Sequence, residues 1–190
     1  MSLPPHIGRV FAATFVMCLL VAGCQSNPEP APLPSPTPSP TPSSSPSPTV
    51  AAPTLPPEAR GTSTASAKAF VRHYVALVNH AVASGNSDEL ARASASDCRS
   101  CAAVIMKLNS VYEAGGNIRS DGWKIRSLNV VPGRPTNKPA LDVGLHLSPQ
   151  VVIEKKGAKK RSFEGGRLPA TFYLVVSHGT WVVREWERSA

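Results

Sequence analysis

Leu141-Asp142-Val143-Gly144-Leu145-His146-Leu147 is the stretch on which the fold turns. Its apolar residues fall at every second position, which is the period of a strand with one face buried and the other toward solvent. Working outward, Trp123–Val131, Val151–Ile153, a return near Ser162, Thr171–Ser177 and Trp181–Glu187 read as further strands. Lys156-Gly157-Ala158-Lys159 and Ser177-His178-Gly179-Thr180 supply hairpin turns between them.

Upstream the period changes. Phe70, Val71, Tyr74, Val75, Leu77, Val78, Ala81 and Val82 follow helical spacing, with Ser66 as the predicted N-cap and Gly85 as the C-terminal stop. A short helix from Asp88 to about Ala95 and a third carrying Val104, Ile105, Leu108, Val111 and Tyr112, capped by Ser96-Asp97 and ended by Gly115-Gly116, complete the helical half. Helices followed by a run of strands predict an α+β domain, three N-terminal helices packed on a curved antiparallel β-sheet.

The 190 residues are not all available to that domain. His6 and Arg9 precede the apolar run Val10–Val21, which is too short for a comfortable membrane span and suits a signal-peptide core. It closes on Val21-Ala22-Gly23-Cys24, small residues before a cysteine. Residues 1–23 are therefore expected to be a lipoprotein signal peptide and Cys24 the lipidated residue, held on the extracytoplasmic face of the cell membrane by its acyl chains. Residues 24–59, with Pro34-Ser35-Pro36-Thr37-Pro38 as their texture, bury too little apolar surface to fold. They read as a disordered stalk reaching up to about 95 Å in polyproline II. Residues 60–190 form the one globular domain.

The formal net charge is +8. Behind an export signal, that points to anionic wall polymers or lipid headgroups as partners rather than to nucleic acid. The densest cluster is Lys155, Lys156, Lys159, Lys160 and Arg161 around a hairpin tip. Four cysteines are present, and only Cys98 and Cys101 fall in the domain; an oxidising compartment predicts a disulfide between them, structural or redox-active. A zinc site would need two more ligands than this pair supplies, so no metal or other cofactor is expected. His73, His80, His146 and His178 lack ligand spacing, and neither Asp121 nor Asp142 is placed as a pocket base. No catalytic residue is assigned. An apolar pocket, if present, would draw on Tyr74, Tyr112, Trp123, Phe172 and Trp186.

The order of three helices, a meandering sheet and the closing turn Gly179-Thr180-Trp181-Val182-Val183 resembles the nuclear-transport-factor-two-like, or cystatin-like, cone. Asp97-Cys98-Arg99-Ser100-Cys101, Tyr112-Glu113-Ala114-Gly115-Gly116 and Gly122-Trp123 resemble an actinobacterial lipoprotein family of unknown function, domain of unknown function 6318, over Ala65–Arg188. That resemblance implies fold and localisation and brings no catalytic residue. The expected function is a surface-displayed, non-enzymatic binding or interaction module; the alternative is a small-ligand carrier or enzyme working in the cone.

Overall fold

The structure, a computed structural model, describes residues 51–189. The expected signal peptide, the expected lipidation site Cys24 and the expected stalk up to residue 50 lie outside the described residues. The packed body reaches upstream of Arg60: a 3-10 turn at Pro57–Ala59 buries Ala59, and Leu55 packs against the core.

Helix α1 (Thr64–Ser84) is capped three residues before the predicted position. Ser63 is the N-cap and accepts from Ser66 N at 3.1 Å. Ser66 is instead buried, its hydroxyl donating to Ser63 O at 2.8 Å and accepting from Trp181 Nε1 at 3.1 Å. Gly85 ends the helix in the left-handed region, as glycine permits without strain. Helix α2 (Asp88–Arg92) stops short of Ala95 because a strand competes for the backbone that follows. Val183 N donates to Ala93 O at 2.9 Å, and Ala95 N donates to Val183 O at 2.8 Å. Helix α3 (Arg99–Glu113) begins at Cys98 rather than at Ser96-Asp97, with Cys98 Sγ accepting from Cys101 N at 3.2 Å. None of these helices is long and apolar enough to cross a membrane.

Among the described residues seven strands follow: β1 (Asn117–Ser120), β2 (Trp123–Val130), β3 (Ala140–Leu147), β4 (Gln150–Ile153), β5 (Arg161–Phe163), β6 (Gly166–Ser177) and β7 (Thr180–Arg188). They pair antiparallel in two sheets, β1-β4-β5 and β2-β3-β6-β7, where the sequence predicts one. The two are nonetheless in register. Ser120 pairs with Gln150 and Trp123 with Leu147, so three residues forward on one side meet three residues back on the other. The same holds between Gln150↔Phe163 and Leu147↔Gly166. Three strands are thus interrupted at one level, at Asp121-Gly122, Ser148-Pro149 and Glu164-Gly165, and the sheet is creased there.

The crease has chemical causes. Gly122 takes a φ of 80° while Asn79 of α1 grips its neighbour, accepting from Trp123 N at 2.7 Å and donating to Trp123 O at 3.0 Å. Pro149 has no N–H for a ladder. At Gly165 a side chain would collide with the Leu147 carbonyl oxygen. The main core joins α1, through Phe70, Val71, Tyr74, Leu77 and Val78, to Leu141, Val143, Leu145, Phe172, Leu174, Trp181 and Val183 of the four-stranded sheet.

Candidate functional site

Residues four apart on a helix share a face, and on α3 that face carries Ser100, Ala103, Val104, Lys107 and Leu108. These five, with Val78 and Val82 of α1, line one wall of a pocket of about 420 Å³. Ile118, Trp123, Leu147, Gln150 and Trp186, from strands on both sides of the crease, line the other. The volume falls within the range of small-molecule sites. Small Ala103 and Val104 leave the space open where larger residues would fill it. Apart from Ser100, Lys107 and Gln150 the lining is apolar, and no carboxylate or imidazole is in it.

Of the five aromatic residues expected in a pocket, the structure brings two to it. Trp123 and Trp186 meet edge to face at 6.2 Å and 76°. Phe172 stacks behind Trp186 at 6.0 Å and is fully buried, and Tyr74 meets Phe172 edge-on at 5.9 Å deeper still. Tyr74 donates to or accepts from Ser94 Oγ at 3.2 Å, and burial pushes its phenol up to about 12. Both rings are core because Phe172 stands on the buried face of the central strand β6 and Tyr74 on the face of α1 that packs against it, so they fill the interior before they reach the mouth. Tyr112 leaves the pocket altogether: its ring packs on Gly85 and its hydroxyl donates to Val82 O. The aliphatic wall of Val78, Val82, Val104, Ile118 and Leu147 was missed; its signal, apolar spacing on α1 and α3, is shared with any core face.

Beside the pocket, the start of α3 is tied to β7. Glu185 accepts from Ser100 N at 3.1 Å, from the Ser100 hydroxyl, and from Trp186 N at 3.2 Å, while Trp186 N also reaches Ser100 Oγ at 3.1 Å. Burial alone would raise the Glu185 carboxyl, but the bonds from Ser100, Trp186 and Arg99 outweigh it and hold the group below the usual carboxylate range. A depressed folded-state pKa contributes stability above the unfolded value, and that stability is lost as pH falls through the folded value. Glu185→Gln is therefore expected to lower the urea midpoint at pH 7 and to flatten its decline from pH 5 downward. A mutant profile parallel to the parent's would show that the carboxylate has no such role.

Cys98 and Cys101 form a disulfide, and both are buried at 2 % and 1 % exposure. A bridge closed over so short a loop contributes about 2 kcal/mol by chain-entropy reasoning. Its burial predicts slow reduction by glutathione in the folded chain, with Cys98→Ser/Cys101→Ser losing about that stability; rapid reduction under native conditions would contradict it.

At the hairpin between β4 and β5, Lys155, Lys156, Lys159, Lys160 and Arg161 surround the tip, and all five are exposed. Arg161 is engaged: it pairs with Glu154 at 2.8 Å and lies 5.2 Å over the Phe163 ring. Glu154 also takes Lys107 at 3.5 Å, joining α3 to the hairpin beside the pocket. The four lysines have no carboxylate within ion-pairing distance among the described residues. The histidines do not converge; His73 is held below its usual value by burial on α1, with Glu89 opposing, and His178 sits in the β6–β7 turn at φ 49°. No group of three potential metal ligands occurs among the described residues.

Among curated proteins none matches the chain. One similar solved structure is the intermembrane space region of the chloroplast protein ARC6, at 11% identity and a TM-score of 0.49, over 66% of this chain and 95% of that one. Residues 37–187 match the family described as "Family of unknown function (DUF6318)".

Proposed function

Since the chain belongs to this family of unknown function, we propose from its own geometry that it is a non-enzymatic binding module whose ligand site is the pocket between α1, α3 and the creased sheet. A nuclear-transport-factor-two-like cone is the arrangement in which such a pocket arises. The module is a lipoprotein, displayed from Cys24 on the extracytoplasmic face by the proline-rich stalk. The observation that carries the reading is the lining itself, a nearly apolar wall with two tryptophans and three polar groups, Ser100, Lys107 and Gln150, to orient a ligand's polar end. The enzyme or carrier alternative shares this pocket. Of the two carboxylates nearby, Glu185 is consumed by Ser100 and Trp186, and Glu154 by Lys107 and Arg161, which supports binding over proton transfer.

Titration of the chain with a fluorescent single-chain amphiphile tests this. Dye emission should rise and tryptophan emission change as Trp123 and Trp186 are covered. Val104→Trp fills the pocket and should weaken binding at least tenfold, about 1.4 kcal/mol, with a thermal midpoint close to the parent's. Binding that ignores Val104→Trp, or turnover of a wall or lipid substrate by the purified protein, would overturn the proposal. A second contact, through the hairpin to anionic wall polymers or lipid headgroups, is favoured by the four unpaired lysines at about 1 kcal/mol per charge near a negative membrane.

A further inference from the structure

The face of the four-stranded sheet turned away from the core carries cations that the pocket does not use. Lys124 of β2, His146 of β3 and Arg167 of β6 are direct register partners across three neighbouring strands. Their side chains therefore share one face, about 4.8 Å apart from strand to strand. Arg126 adds another charge beside them, and a bulge between Ile125 and Ser127 resets β2 at that point. Arg126, His146 and Arg167 border a hollow of about 580 Å³ whose lining includes Gly144 and Pro169. The hollow persists because Gly144 has no side chain; a Cβ there would meet the Ser127 hydroxyl.

Among the described residues, neither Lys124, Arg126 nor Arg167 has a carboxylate within ion-pairing distance. The acids of this face, Asp142 and Glu187, lie further along the strands, paired through Thr171. They are already occupied, Asp142 by the Thr171 hydroxyl at 2.7 Å and Glu187 by the Tyr173 hydroxyl at 2.6 Å. Charge on β2 would protect an edge strand, but that role needs neither a hollow nor basic side chains aligned across three strands.

We propose that this row binds a linear polyanion carrying a charged phosphate in each repeat, lying across β2, β3 and β6 with its phosphates between the side chains of Lys124, Arg126 and Arg167. A bilayer is the poorer fit. Among the described residues the exposed large hydrophobic ones are Met106 on α3 and Phe163 on β5, so this face has none to insert beneath headgroups.

The test uses the full chain and long-chain polyphosphate, with orthophosphate and phosphatidylglycerol vesicles as comparison probes. Lys124→Gln/Arg126→Gln/Arg167→Gln should weaken polyphosphate binding about tenfold or more. It should also reduce the slope of log affinity against log salt by about 0.7 for each contact removed, roughly 2 in all. The charge-conserving pair Lys124→Arg/Arg167→Lys should retain binding, and the triple variant should melt close to the parent's temperature, since all three side chains are exposed. Lys155→Gln/Lys156→Gln/Lys159→Gln/Lys160→Gln, on the hairpin, should leave the row's contribution in place. Unchanged polyphosphate affinity in the triple variant overturns the proposal, as does loss confined to the hairpin variant. Vesicle binding that depends on the row while polyphosphate binding does not would assign the face to lipid and reject the polymer.

Discussion

Trp181→Ala is expected to cost about 3–5 kcal/mol of folding stability, lowering the thermal midpoint by roughly 10–20 °C. Trp181 is 2 % exposed and belongs to the central core cluster, where removal of an indole leaves a void the neighbours cannot close. The ring also carries a hydrogen bond from β7 to the first turn of α1, Nε1 to Ser66 Oγ at 3.1 Å. Trp181→Phe separates the two contributions. It keeps most of the ring while dropping the N–H, and since Ser66 Oγ still donates to Ser63 O, the loss should be about 1–2 kcal/mol. Urea unfolding monitored by far-ultraviolet dichroism measures both, with an unchanged slope and a shifted midpoint. An alanine variant within about 1 kcal/mol of the parent, on the same order as surface changes, would mean that Trp181 is not a core anchor.

The second large effect lies at the crease. Gly165→Val should cost about 3 kcal/mol, because its Cβ would overlap the Leu147 carbonyl oxygen and come within 2.8 Å of Pro149 N, backbone atoms that cannot rotate away. Gly166 is the control one residue on, where a Cβ would meet nothing within 4 Å. Gly166→Val should be close to neutral, since a β-branched residue suits a strand. Leu147 and Gln150 line the pocket from either side of the crease, so Gly165→Val should also weaken the amphiphile while Gly166→Val does not. Equal stability of the two variants would remove the steric explanation of the bend.

These two sites differ in how far the sequence reveals them. The alternation at Leu141–Leu147 is visible at once, and so is the tight turn at His178-Gly179, where both residues take positive φ and the strands rejoin at Ser177↔Thr180. Strand β1 escapes notice because Asn117-Ile118-Arg119-Ser120 offers one apolar residue and no period. The start of β6 escapes because Pro169 reads as a strand breaker, yet β7 pairs only from Ala170 onward, so the proline sits where β6 has a ladder on one side. The crease is harder still. Gly122, Pro149 and Gly165 are far apart in the chain and become one feature only when the register sets them level.

The pocket was legible in part for a related reason. Aromatic residues announce apolar content, but depth depends on which neighbours lie above them. Trp186 and Phe172 are register partners on one face, and only the first reaches the pocket. The α3 wall depends on small size at Ala103 and Val104, which attention to conspicuous residues passes over. The alignment of Lys124, His146 and Arg167 has no sequence signature, since it needs the pairing of three strands to exist.

The parallel bridge between Ser94 and Val183 has a bearing on how copies of this chain behave at close quarters. An uncovered strand margin is a template on which a second molecule can extend the sheet, the first step toward swapped dimers or fibres. Here the Ala93–Ala95 segment occupies the middle of the β7 margin with its own amide and carbonyl groups, and the disulfide anchors the turn that follows. At the opposite margin, the bulge in β2 breaks the flat template that a newcomer would need. At these two margins, molecules crowded side by side would thus meet through side chains rather than through backbone, where a bare-edged sheet would polymerise.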